Sequence, residues 1–154
     1  VHVPVSGQTY VGRSNTGAWR VSRSGPYQPI KSKPLGNTQV IKVVASRSHR
    51  GELLDRVMNA IESEFNRVEV VNMGSSLKIC LLAEGGADIY PRFAPTSEWD
   101  TAAGHAVLSA AGGEIYDTEF RPLRYNRKDS ILNPFFIGIA DTAYDWKKVL
   151  TSAF

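Results

Sequence analysis

The sequence is poor in cysteine, with Cys80 as the single thiol among 154 residues. One thiol cannot form an internal disulfide, which excludes the class of small domains held together by disulfide bonds. Cys80 lies in an apolar run, where a thiol serves more often as a small core side chain than as a nucleophile. With 42% hydrophobic residues, the chain can bury a sizeable globular core instead.

Long apolar runs and clusters of basic residues are also missing. The longest apolar stretches, such as Ile79–Ala83, are far below the roughly 18 residues that a membrane-spanning helix needs. No signal peptide is visible. We therefore expect a cytoplasmic protein and leave open a peripheral position at the inner membrane. The net charge of +3 suits an anionic ligand, whereas scattered Lys and Arg without interleaved aromatics argue against a nucleic acid polymer.

The first 38 residues show a pattern of short strands separated by turns. Alternating residues predict strands at Val1–Val5, Thr9–Arg13 and Ala18–Val21, which we expect to form an antiparallel meander. Residues 22–38 are rich in proline and glycine and are typical of a connector or an edge strand. We place a domain boundary near Thr38. Because the chain begins at Val1 without a methionine and already in a strand pattern, we expect it to be part of a longer protein.

Residues 39–154 predict an α/β domain with a parallel or mixed sheet flanked by helices. Gln39–Ala45 is almost entirely apolar, as expected of a strand covered on both faces. A helix from about Arg50 to Phe65 follows from apolar residues at four-residue spacing. The remaining predicted strands are Val68–Val71, Ala87–Tyr90, Ile115–Tyr116 and Phe135–Ile139, and further helices begin at Ser75, Ser97 and Asp141.

The starts of two helices point to an anion site. Ser75 and Ser97 are suitable N-caps, because a serine oxygen can accept a hydrogen bond from a free amide of the first turn. Free amides and the helix dipole attract anions, so Ser75 and Ser76 could face a phosphate. Lys78 stands in a first turn, where the dipole disfavours a cation, which indicates an anion nearby.

Asp100 has two interpretations. An aspartate in a first helical turn is electrostatically favourable and, with Ser97 three residues before it, completes a variant of the capping box. The alternative is a metal ligand. The residues alone leave both open.

Further polar residues follow strands of the predicted sheet. Ser48 and His49 stand where a strand turns into a helix, and Arg92 follows the strand Ala87–Tyr90. In open α/β sheets, ligands bind beyond the carboxyl ends of strands, so these side chains should converge on Ser75, Lys78 and Asp100. Taken singly, His49 could be an ordinary turn residue and Arg92 a solvated loop cation.

The segment from Trp99 to Gly113 closely resembles the C-terminal signature of the inositol monophosphatase superfamily of magnesium-dependent phosphomonoesterases. Further motifs are similar to its CysQ branch, the 3'(2'),5'-bisphosphate nucleotidases: Val44–His49, Gly74–Lys78, Tyr90–Phe93 and Leu132–Pro134. The resemblance implies the layered α/β sandwich of the sugar phosphatases, with residues 1–38 as the last strands of an N-terminal sheet domain and residues 39–154 as the C-terminal domain.

The resemblance also implies a function and a set of site residues. Members of that branch remove the 3'-phosphate of adenosine 3',5'-bisphosphate, a by-product of sulfate assimilation, and use Mg²⁺. By matching position, Asp100 is the implied metal ligand. The implied nucleotide contacts are His49, Ser75, Lys78 and Arg92.

Part of the family's metal site is absent from the sequence. The superfamily draws most of its metal ligands from an upstream Glu-Glu region and a D-P-x-D-G-T motif, and neither occurs here. We interpret Glu84, Asp88 and Glu98 as structural, so we expect the chain alone to be inactive and to self-associate through the surface meant for the missing N-terminal domain. Two alternatives stay open: an inositol or other sugar phosphatase, and a nucleotide-binding domain without catalysis.

Overall fold

Two β-sheets with helices between and beside them make up the protein, seen here as a computed structural model. Residues 1–45 and 51–154 are described. The predicted junction residues Ser48 and His49 lie outside the described residues.

The first sheet is the antiparallel meander that the sequence predicts. Its four strands follow one another in order: β1 (His2–Val3), β2 (Gln8–Arg13), β3 (Gly17–Ser22) and β4 (Gln28–Ile30). Gly7 and Asn15, with φ of 69° and 58°, make the left-handed turns between the first strands, a conformation that glycine and asparagine adopt readily. The short β4 carries Pro29 at the sheet edge, where a missing amide proton breaks no interior ladder.

The second sheet is mixed. Its strands are β5 (Val40–Ala45), β6 (Arg67–Asn72), β7 (Ile89–Arg92), β8 (Glu114–Asp117) and β9 (Phe136–Ile139), in the spatial order β6-β5-β7-β9-β8. Strand β5 is parallel to β6 and β7, whereas β9 is antiparallel to β7 and β8. Val43 and Val44 point to opposite faces of β5 and both are fully buried. The prediction of a strand covered on both faces is confirmed.

Helices cover both faces of the second sheet. Helix α1 (Glu52–Glu64) and helix α4 (Trp146–Leu150) pack on one face, and α2 (Leu77–Ala83) and α3 (Glu98–Ala111) on the other. The first sheet lies against α3 so closely that a Cβ at Gly12 would stand 2.6 Å from the Cα of Val107. The predicted layered α/β architecture with a mixed sheet is confirmed. Within the described residues, no helix has both the length and the apolar character needed to span a bilayer.

Two predicted helix starts are wrong. Ser75 is not an N-cap: α2 has Ser76 at its N-cap, and Ser75 adopts a φ of 55° in the preceding turn. Helix α4 begins at Trp146 rather than Asp141, because the Asp141 carboxylate accepts hydrogen bonds from the amides of Leu35 and Ala143, both at 2.9 Å, and holds a turn. The domain boundary near Thr38 stays a prediction.

Candidate active site

Four of the predicted site residues line one cavity of about 390 Å³ between the first turns of α2 and α3 and the end of β7. They are Ser75, Lys78, Arg92 and Asp100. The fifth, His49, belongs to the part of the chain that is not described. The other lining residues include Tyr90, Thr96, Trp99 and Thr101, none of which is among the predicted site residues. Tyr90 is the first residue of the Tyr90–Phe93 motif, but only the packing of β7 against α2 shows that its ring faces Lys78.

Two serines in the turn before α2 contribute hydroxyl groups. The carbonyl of Ser75 accepts a hydrogen bond from the Lys78 amide at 3.4 Å, and that of Ser76 from the Ile79 amide at 3.0 Å. Neither hydroxyl has a hydrogen-bond partner among the described residues. Both serines line the cavity, so their hydroxyls can donate to an anion there.

Lys78 is a buried cation, with 7% of its surface exposed. Its Nζ lies 5.3 Å from the centroid of the Tyr90 ring. None of the salt bridges in the described residues includes this ammonium group. Burial is the larger cause of a lowered pKa of Lys78, and the nearby charge of Arg92 lowers this pKa further. Because burial and a like charge both disfavour the ammonium form, this place in the fold suits an anion that offsets them.

Arg92 faces the same cavity from the end of β7. It is the last residue of the strand, paired with Phe136, and not part of the following loop. Its Nη2 donates weakly to the carbonyl of Pro95 at 3.4 Å. Its Nε is buried and has no hydrogen-bond partner in residues 1–45 and 51–154. A buried N–H group without a hydrogen-bond partner is rare in proteins and indicates that a ligand can bond to it. This burial argues against the interpretation of Arg92 as a solvated loop cation.

Asp100 caps its own helix. Its Oδ2 accepts a hydrogen bond from the Ser97 amide at 2.7 Å, while its amide donates to the Ser97 carbonyl at 2.9 Å. The capping interpretation is therefore confirmed. Its carboxylate is nevertheless exposed and lines the cavity. Since one carboxylate has two oxygens and about four acceptor positions, capping leaves room for a ligand.

The nearby acids are bonded to other groups of the protein itself, as predicted for structural residues. Glu84 pairs with Arg20 at 3.0 Å, and the Asp88 carboxylate accepts from the Lys42 amide at 2.7 Å. Glu98 accepts from the Asn126 amide and the Lys128 ammonium, and these bonds lower its pKa. The described residues contain no cluster of three or more potential metal ligands of the His, Cys, Asp and Glu types. The candidate site therefore offers one carboxylate, which fits Mg²⁺ only as part of a larger ligand set.

A second, largely apolar cleft adjoins the cavity. It has a volume of about 170 Å³ and shares Tyr90 and Arg92 with the first cavity. Its other walls include the apolar side chains of Leu53, Leu54, Phe93 and Phe135, together with the acidic Glu52. A flat apolar group bonded to an anion could therefore lie here while the anion stays near Lys78 and Arg92.

A protein-family model matches nearly the whole chain. The model of the inositol monophosphatase family matches residues 1–150. The chain belongs to the inositol monophosphatase family. This membership confirms the resemblance found in the sequence and accounts for the layered α/β fold.

Relatives within the inositol monophosphatase family bear the name 3'(2'),5'-bisphosphate nucleotidase CysQ. The protein from Escherichia coli (strain K12) is 48% identical over 94 residues, which are 61% of this chain and 37% of the relative. That from Haemophilus influenzae is 29% identical over 149 residues, which are 97% of this chain and 54% of the relative. The crystal structure of CysQ from Bacteroides thetaiotaomicron aligns with a TM-score of 0.78 and 40% identity, covering 90% of this chain and 56% of that one.

The chain spans about half the length of its family relatives, or less. The expectation that it corresponds to their C-terminal portion stays a prediction. The family consists of phosphatases that are generally metal-dependent.

Proposed function

We propose that the natural protein is a Mg²⁺-dependent phosphomonoesterase of sulfate assimilation, which removes the 3'-phosphate of adenosine 3',5'-bisphosphate to give AMP and phosphate. The observation that carries this proposal is the pairing of two cations in one cavity, the buried Lys78 and the partly unbonded Arg92. An anion with several oxygens can offset the buried charge of Lys78 and also accept hydrogen bonds from the Arg92 guanidinium. The names of the CysQ relatives support this substrate class.

Each site residue has a role in this proposal. Lys78 and Arg92 hold the phosphate charge, and Ser75 donates a hydrogen bond to a phosphate oxygen. His49 contacts the nucleotide, a role that rests on matching position alone. Asp100 supplies one metal ligand while its other oxygen keeps the helix cap. When bound, Mg²⁺ would activate a water for attack and stabilise the leaving oxygen.

Residues 1–154 alone should have little catalytic power. The described part supplies one carboxylate at the cavity, that of Asp100, and one of its oxygens already accepts a hydrogen bond from the Ser97 amide. Mg²⁺ demands near-octahedral coordination by oxygens, which this carboxylate cannot complete. The remaining ligands would come from residues outside this chain. The cytoplasmic location, with or without peripheral attachment at the inner membrane, stays a prediction.

The apolar cleft favours a nucleotide over an inositol phosphate. Its walls include the rings of Phe93, Phe135 and Tyr90, which suit the face of an adenine better than a ring of hydroxyl groups. An inositol or other sugar phosphate remains the second candidate substrate, because the two cations alone would accept either. A nucleotide-binding domain without catalysis is the third candidate.

Competitive binding separates these candidates. We expect the natural protein to bind adenosine 3',5'-bisphosphate much more tightly than inositol 1-phosphate and to release phosphate from it. Arg92→Ala should weaken the binding of both ligands at least tenfold, because both carry a phosphate that Arg92 would hold, in line with a lost charged hydrogen bond of about 1.5–3 kcal/mol. Arg13→Ala, at an exposed strand end, is the matched control. Tighter binding of inositol 1-phosphate than of the nucleotide would favour the sugar phosphatase, and nucleotide binding without phosphate release would favour the binding domain.

We also propose that the isolated chain self-associates. Val5 is 96% exposed, Tyr27 66% and Trp99 69%, and another protein often covers exposed apolar side chains where they form a contiguous patch. Because the chain spans about half the length of its relatives, the rest of a protein of that length would cover these residues. Sedimentation of residues 1–154 should show a dimer or larger species, and a clean monomer at high concentration would refute this proposal.

A further inference from the structure

The segment of residues 125–133, here called the strap, lies along one ridge of α3. The ridge consists of Glu98, Thr101 and His105, at the three- and four-residue spacing that puts side chains on one helix face. At one end, the Tyr125 hydroxyl lies 2.7 Å from His105 Nδ1. In the middle, the Asn126 amide and Lys128 Nζ donate to the Glu98 carboxylate at 2.8 and 3.1 Å.

The other end of the strap is Asn133, which reaches the N-terminus of α3. Its side-chain Nδ2 lies 2.8 Å from the Ser97 carbonyl and 3.1 Å from the hydroxyls of Thr96 and Thr101. A carbonyl can only accept, so the amide nitrogen and not the amide oxygen must face Ser97. The Asn133 backbone amide also donates to the Thr96 carbonyl at 2.8 Å. The side chain and the backbone amide of Asn133 are therefore both hydrogen-bonded to the start of α3.

These bonds act on the same peptide groups that hold Asp100. The Ser97 carbonyl accepts from both Asn133 and the Asp100 amide, and the Ser97 amide donates to the Asp100 carboxylate. Thr101, the third partner of Asn133, is buried and lines the cavity. A shift of Asn133 would therefore move two cavity groups at once.

The far end of the strap is itself held in place. His105 is buried, and its Nε2 is hydrogen-bonded to the Glu114 carboxylate. Burial alone would raise the pKa of Glu114, but the hydrogen bonds from His105 and the Ile115 amide bring it below its ordinary value. An ionised Glu114 can only accept, so Nε2 carries a proton towards it. The strap thus runs between two fixed points on α3.

We propose that Asn133 is a positioning residue of the candidate site, which holds the first turn of α3 so that Asp100 and Thr101 face the ligand in one fixed geometry. Asn133 does not line the cavity, so it acts through Ser97 and Thr101. The proposal rests on the proposed function in that it assumes a ligand at Asp100.

The test compares Asn133→Ala and Asn133→Asp with Asn59→Ala in the natural full-length protein. Asn133→Asp keeps the side-chain shape but lacks the donor protons, and Asn59 is exposed on α1, remote from the cavity. Hydrogen exchange at the Ser97 and Asp100 amides should become at least tenfold faster in both Asn133 variants, while the amides of residues 108–111 at the other end of α3 stay protected. Turnover of adenosine 3',5'-bisphosphate should fall about tenfold in kcat with little change in KM, as for other residues that orient a ligand-bearing group.

Unchanged exchange at Ser97 and Asp100 would overturn the positioning role, and so would faster exchange with kcat equal to that of Asn59→Ala. If the wild-type protein releases no phosphate, the substrate assignment has failed, and binding of inorganic phosphate replaces kcat as the second measurement. A tenfold weaker phosphate affinity in the Asn133 variants would then support the role, and an equal affinity or no binding by the wild type would overturn it.

Discussion

Replacing Asp100 by asparagine is expected to lower Mg²⁺-dependent phosphate release by the natural protein at least a hundredfold. The amide oxygen of asparagine can still accept from the Ser97 amide, which Asp100 binds at 2.7 Å, so the helix start should survive. The charge that would attract a metal ion is lost. Stability should therefore fall only by about 0.3–1 kcal/mol, the loss of one anion at a helix N-terminus. Phosphate release and urea unfolding measure the two effects separately.

The matched control for this prediction is Asp55→Asn. Asp55 is also an acid in the first turn of a helix, α1, and it is exposed. It should show a similar small stability change with full activity. If Asp100→Asn keeps more than half of the wild-type rate, Asp100 is a helix cap only, and the metal must be held by residues outside this chain.

The strands could be predicted from the sequence because their signals are local. The alternation in Thr9–Arg13 and the apolar run before Ala45 reappear as β2 and β5. The parallel part of the second sheet, β5 with β6 and β7, follows from strands that alternate with helices. The position of the antiparallel strand β9 between β7 and β8 cannot be predicted from local sequence. It depends on which strands of the folded sheet still have an unpaired edge.

The errors at helix starts also have a physical cause. A serine before an apolar run is a common N-cap, but Ser75 takes a φ of 55° in the turn that leads from β6 into α2. At Asp141, a long-range bond to the Leu35 amide replaces a helical turn. Neighbouring residues do not reveal either effect.

The candidate site could be foreseen only in part. A charged residue at the end of a strand or the start of a helix can be recognised in the sequence as a candidate site residue. This holds for Lys78, Arg92 and Asp100, which all line one cavity. Asn133 could not be found in this way. Its side-chain partners lie 32 to 37 residues away in sequence, so only the tertiary structure shows what it binds.

Lys78→Met is expected to stabilise the protein while weakening its binding of phosphate ligands about 30-fold. Methionine is unbranched and flexible, so it can follow the path of the lysine stem. The ammonium group lies 5.3 Å from the centroid of the Tyr90 ring, but burial and the charge of Arg92 lower the pKa of Lys78 and so disfavour its charged form in the folded state. Removing the charge should therefore raise the free energy of unfolding by about 0.5–2 kcal/mol, as stabilising changes at functional sites often do. A lost charge-assisted hydrogen bond of about 2 kcal/mol gives the 30-fold loss of affinity.

The stability gain should depend on pH in a defined direction. A lysine whose pKa is lowered in the folded state penalises folding fully below that folded pKa, where it is charged in both states. The penalty disappears as pH rises through the folded pKa towards the unfolded value of about 10.4. The advantage of Lys78→Met in urea unfolding should therefore be largest at neutral pH and shrink at alkaline pH. Lys31→Met, at an exposed loop position, should show no such dependence. A Lys78→Met protein that is less stable than the wild type at neutral pH would mean that the fold itself satisfies this cation, and the case for an anion in the cavity would then rest on Arg92 alone.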